Sequence, residues 1–172
     1  MYGFHSSGFW QDARGANMID GGAHFYDTYE TADGGFVSVG SIEPQFYALL
    51  LEHAGIEDPA FKNQWDRDSW PEFKKKLTEI FKRRTREEWC RIMEGTDICF
   101  APVLSLSEAP QHPHIRHRST FADRDGVVQP SPAPRFSRTA PRISGDPPVP
   151  GAHTREVLRE AGVTTQEIDT LD

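Results

Sequence analysis

Cysteine is scarce in this 172-residue chain, with Cys90 and Cys99 the only two. Two thiols supply neither a disulfide framework nor the ligand spacing of a zinc site. Both read as small buried hydrophobes in a reducing compartment. Long apolar runs are lacking as well: nothing approaches the roughly 20 residues of a transmembrane helix. The opening M-Y-G-F-H-S has neither a basic start nor an apolar core, so it does not read as a secretory signal. These absences point to a soluble cytoplasmic protein without a membrane partner. A basic excess is missing too, and the net charge of −7 argues against nucleic acid as a partner. No G-x-G-x-x-G or Walker pattern occurs; Gly21–Gly22 and Gly34–Gly35 read as turn glycines. No local motif suggests a Ser/His/Asp or Cys/His catalytic set.

Aromatic residues are plentiful, with four Trp and eleven Phe, and they supply much buried area for a small core. Residues 1–23 carry five glycines without a clear period and read as an extended linker arm, as though something normally precedes it. Residues 24–30 and 36–41 are strand-like, and the Asp33-Gly34 signal between them predicts a β-hairpin. Ser41 is placed to cap the next helix, with Glu43 and Pro44 in its first turn and Gly55 at its end. Residues 56–68 read as a polar connection. Ser69 and Glu72 form the pattern of a capping box, followed by the stripe Phe73, Leu77, Ile80, Phe81. A second box, Thr85 to Glu88, starts a helix carrying Trp89, Ile92 and Met93.

Residues 99–104 read as a short strand, and Phe121 to Gln129 as a second hairpin. Seven prolines crowd residues 130–150, which predicts an extended strap. Two helical pieces close the chain: His153 to Ala161, with Val157, Leu158 and Ala161 inward, then a turn capped by Thr164 and Glu167. The fold class is α+β: a linker arm over 1–23, a small domain over 24–104, a proline-rich strap over 105–151, and C-terminal helices over 152–172.

Glu43 is the carboxylate that stands out. It follows a strand and opens a helix, where the helix dipole and free N–H groups favour its charge and a rigid element can aim it. Glutamate in a first turn is also ordinary. His112, His114 and His117 suggest a metal, but Pro113 breaks helical spacing and no acidic or thiol cluster adjoins in sequence, so no metal is expected. The basic run Lys74, Lys75, Lys76, Lys82, Arg83, Arg84 reads as a solvated helix face or, less simply, as a patch for ligand phosphates.

Residues 15–29 (G-A-N-M-I-D-G-G-A-H-F-Y-D-T-Y), 32–34 (A-D-G) and 39–47 (V-G-S-I-E-P-Q-F-Y) resemble the small domain of 2-methylacyl-CoA racemases, in the family III CoA-transferase superfamily. Asp97 with Ala101-Pro102-Val103 is similar to a strand of that family, and 132–139 and 151–158 to its strap and C-terminal helix. The resemblance implies epimerisation at C2 of a branched acyl-CoA in fatty acid metabolism, through an enolate and two-base proton transfer. It implies no cofactor, since the coenzyme A thioester is itself the substrate. The bases, a His and an Asp, belong to a large N-terminal domain that nothing here matches. What carries over is Glu43, implied to reach the active site from the small domain of a partner subunit and to orient the catalytic pair. The family forms interlocked homodimers, each strap encircling the other chain. Standing alone, the chain is expected to be inactive, to expose apolar surface and to self-associate. His24 departs from the proline these racemases carry after G-G-A, altering the start of the hairpin or adding a titrating group. Two other readings stand beside this one. A family III CoA-transferase fragment is disfavoured by the lack of a glycine run. A non-catalytic assembly module is favoured by the missing half.

Overall fold

A computed structural model describes residues 1–171, which form two compact units, one over residues 1–105 and one from residue 106 onward. The first is built on a three-stranded antiparallel sheet in the order β1-β2-β3, with β1 Tyr26–Glu30, β2 Phe36–Gly40 and β3 Phe100–Val103. The expected hairpin joins β1 and β2 in the register Tyr26↔Gly40 to Glu30↔Phe36. Gly34 turns the chain at φ +75, a conformation that costs glycine little. Asp33 braces the turn: its carboxylate accepts from the Thr31 hydroxyl at 2.6 Å and the Arg86 N–H at 3.1 Å. Those bonds, the Thr31 hydroxyl first, hold its pKa below the usual carboxylate value.

Alternation along the strands sorts the faces. Tyr29, Val37 and Val39 are buried, while Tyr26, Phe36 and Val103 are exposed. The buried face meets α2 (Pro44–His53), α3 (Trp70–Phe81) and α4 (Arg86–Met93), which send Leu50, Phe73, Leu77, Phe81, Trp89 and Met93 into one core. Helices on one face of an antiparallel sheet make this an α+β unit. Rings fill much of that core: Tyr29 stacks on Phe81 at 5.0 Å and Phe61 on Phe73 at 4.3 Å. The buried indoles are satisfied, Trp89 donating to the Phe81 carbonyl and Trp70 to that of Gln64, both at 2.8 Å.

The capping box at Thr85 and Glu88 forms as expected. The one at Ser69 does not: Ser69 has helical dihedrals, and its hydroxyl donates to Asp66 at 2.6 Å. The 56–68 connection is not simply polar, since a short 3-10 turn over Pro59–Lys62 buries Phe61, and Gln64 beyond it is buried too. Residues 1–23 contain a short helix, α1 (Tyr2–Ser6), and a loop gathered around buried Asn17. The Asn17 side chain accepts from the Gln11 N–H and donates to the Gln11 carbonyl and to Asp20. Gly22 lies so close that an added Cβ would sit 2.5 Å from the Asn17 carbonyl oxygen. This segment is built into the first unit rather than extending from it.

The second unit carries α5 (Pro113–His117), the hairpin β4 (Phe121–Arg124) and β5 (Val127–Pro130), α6 (Thr154–Glu160) and α7 (Thr165–Ile168). Pro113 starts a helix instead of breaking one, because the first helical position needs no N–H. The Thr164–Glu167 box forms, and Ile168 is buried. In α6 only Leu158 is half-buried, while Val157 and Ala161 are exposed. Phe136 and Val149, at 59% and 72% exposure, leave this unit with open apolar surface. No helix among the described residues is long and apolar enough to cross a membrane.

Candidate functional site

Glu43 sits where β2 gives way to α2, and every residue of that junction is tethered. The Ser41 N–H donates to the Phe25 carbonyl at 3.0 Å, and the Ile42 N–H to that of Gly40 at 2.9 Å. Ser41, expected to cap α2, is wholly buried and donates its hydroxyl across the fold to the Ile98 carbonyl at 2.5 Å. From another side, the Gln64 side-chain amide donates to the carbonyls of Ser41 at 3.1 Å and Ile42 at 2.8 Å. Glu43 is itself the N-cap residue of α2, extended at φ −71 and ψ 142, and its carbonyl accepts the first helical bond from Tyr47 at 2.9 Å. Pro44 follows at the helix start, where its missing N–H costs nothing. The Glu43 side chain does not cap the helix; it is exposed and makes no hydrogen bond or ion pair among the described residues. A tightly fixed backbone thus presents an open carboxylate.

Cys99 adjoins it. Its thiol is pushed up by its own burial first and then by the Glu43 and Asp97 carboxylates. The residue as a whole is exposed, not a buried hydrophobe, and takes a left-handed φ of 61 just before β3. Cys90 is half-buried, its pKa pushed up to about 11 chiefly by burial. Both raised values leave the thiols protonated and poor nucleophiles at neutral pH. An open cleft of about 460 Å³ runs along the outer sheet face past Tyr26, Ser38 and Ala101 and reaches the junction at Gly40 and Cys99.

His24 is resolved in favour of a structural role. It is wholly buried, ringed edge-on by Phe25, Tyr47, Phe61 and Phe73. The Tyr47 hydroxyl donates to the Phe61 carbonyl at 2.9 Å, so it accepts from His24 Nε2 at 2.7 Å. That fixes the proton on Nε2 and leaves Nδ1 without a partner. Burial pushes the imidazole pKa down to about 3, so it stays neutral through the physiological range.

The basic run is largely spent on internal pairs. Lys74 meets Asp27 at 2.5 Å, Lys76 meets Asp58 at 2.8 Å and Glu72 at 3.1 Å, and Lys82 meets Glu30 at 3.3 Å. Arg84 lies over the Trp89 ring at 5.7 Å. These pairings fit the reading as a solvated helix face. His112, His114 and His117 fall at the start and along α5, and no group of three potential ligands suited to a metal occurs among the described residues. Sequence reasoning singled out Glu43 but not Gln64, nor the influence of the Glu43 carboxylate on the Cys99 thiol. Nothing local marks either, since both partnerships span distant parts of the chain.

The model of CoA-transferase family III matches residues 4–154, and the chain belongs to that family. Within it, the chain is 50% identical over 164 residues to alpha-methylacyl-CoA racemase of Mus musculus, covering 94% of this chain and 43% of that protein. It is 45% identical over 166 residues to the Homo sapiens protein of the same name, covering 95% and 43%. The chain therefore spans under half the length of these relatives. A crystal structure of a CaiB/BaiF family protein from Brucella suis shares the fold, with TM-score 0.67 and 18% identity over 92% of this chain and 43% of that one.

Proposed function

We propose that this chain is the small-domain part of a 2-methylacyl-CoA racemase and that Glu43 is its contribution to the active site. The observation that carries the reading is the open carboxylate of Glu43 on a junction tethered from two sides. The likeness to proteins named alpha-methylacyl-CoA racemase over nearly the whole chain supports the following reaction. One base removes the C2 proton of a branched acyl-CoA, and the electron pair passes into the thioester carbonyl as an enolate. A conjugate acid on the opposite face returns a proton to C2. One proton leaves and one arrives, so no oxidant or cofactor enters. Glu43 accepts a hydrogen bond from the proton-carrying pair supplied by the rest of the enzyme, orienting it and holding its protonation states near the working pH. It does not itself abstract the proton. The enzyme works as a homodimer on fatty-acid thioesters, and the exposed apolar side chains of the second unit are covered in that assembly.

The test separates racemase from transferase. The chain assembled with the complementary large domain is given (2R)-2-methylacyl-CoA, with and without a carboxylate acceptor. Inversion at C2 without acceptor is expected. Movement of coenzyme A to the acceptor with C2 untouched contradicts the reading.

A further inference from the structure

We propose that Gln64 and Ser41 are positioning residues, which aim the Glu43 carboxylate by holding the backbone between β2 and α2. The inference rests on the reading that Glu43 acts in a racemase site. Among the described residues neither side chain hydrogen-bonds the Glu43 carboxylate; both act through the peptide units just before it.

Gln64 is only 5% exposed, and its amide nitrogen serves two consecutive carbonyls, those of Ser41 and Ile42. Its own backbone is anchored by the indole of Trp70, a core residue at 4% exposure. Rigidity of the aromatic core is thereby passed to the junction. Ser41 pulls in another direction, its hydroxyl on the Ile98 carbonyl just ahead of Cys99 and β3. The junction's own backbone bonds are few, from Ser41 to Phe25, Ile42 to Gly40 and Tyr47 to Glu43, and the two side-chain tethers add to them in deciding where α2 starts and where its N-cap side chain points. A displacement of about 1 Å at a group that must meet a reacting pair costs on the order of 100-fold in rate.

The experiment is a double-mutant cycle in the assembled enzyme, with Gln64→Met and Ser41→Ala made alone and together with Glu43→Gln. Methionine preserves the volume of glutamine but offers no donor. Gln64→Met is expected to lower kcat about tenfold while KM stays within about twofold. In the Glu43→Gln background the same change is expected to cost less than about twofold, because nothing is left to aim. Equal losses in both backgrounds would show a merely structural role and overturn the inference. Should Gln64→Met fail to fold, Ser41→Ala carries the same comparison, with a loss of about threefold expected only where Glu43 is present. Full kcat in both tethering variants, with Glu43→Gln impaired, would overturn the positioning role alone. Full kcat in Glu43→Gln itself would overturn the reading beneath it.

Discussion

Glu43→Gln is expected to lower kcat of the assembled enzyme by about 100-fold, the upper end of what removing an orienting partner costs. KM and thermal stability are expected to stay near wild type. The substitution keeps shape and volume and removes only charge and acceptor strength. The wild-type side chain is exposed, makes no cap bond and pairs with nothing among the described residues, so the fold does not depend on it. A stabilising residue would show the reverse pattern, with a lower melting temperature and little change in kcat. Steady-state kinetics and thermal melting on one preparation distinguish the two.

Acid destabilises the first unit through His24, in a window set by its pKa. In the unfolded chain the imidazole titrates near 6.5; in the folded one burial lowers that to about 3. Above pH 6.5 both states are neutral and the residue contributes no pH dependence. Between 6.5 and 3 the unfolded chain binds a proton that the folded chain refuses, so stability falls by up to about 1.4 kcal/mol per pH unit. His24→Leu removes the effect. It leaves the Tyr47 hydroxyl still donating to the Phe61 carbonyl and removes an Nδ1 that has no partner. The variant is expected within about 1.5 kcal/mol of wild type at pH 7.5. Urea melts at pH 7.5, 6 and 4.5 should show a shallower decline for the variant. A parallel decline in both proteins would mean that other groups control acid sensitivity. Tyr47→Phe is the harsher change, since it leaves the Phe61 carbonyl without this donor and His24 Nε2 without its acceptor. It is expected to cost about 2–6 kcal/mol, roughly 1–3 for each of the two buried groups left unpaired.

What could be read from the sequence was what local chemistry decides. Asp33-Gly34 between two β-rich runs gave the hairpin, and Phe73, Leu77 and Phe81 at helical spacing gave the buried face of α3. The boxes at Thr85 and Thr164 closed as their spacing required. Ser41 and Ser69 carry the same local signal and do something else. A hydroxyl near a helix start has several acceptors within reach, and Ile98, 57 residues away, lies outside any local pattern. Gln64 escaped for the same reason, as one polar residue in a polar stretch whose burial is set by Trp70 and the 3-10 turn. His24 was visible as a departure, but the aromatic cage that settles its role comes from three separate segments. The place of Glu43 between strand and helix was legible because it is a local fact; the tethers that fix the junction are not.

The division of labour within the proposed racemase is open to one decisive measurement. A 2-methylacyl-CoA is incubated in deuterated water with this chain alone, with the complementary large domain alone, and with both, and deuterium at C2 is followed by mass spectrometry. Exchange only when both are present is the predicted result, because in the proposed racemase Glu43 orients a proton-transfer pair supplied by the large domain. Exchange by the chain alone would contradict the account and require a base among its own residues, a role that buried, neutral His24 does not fit.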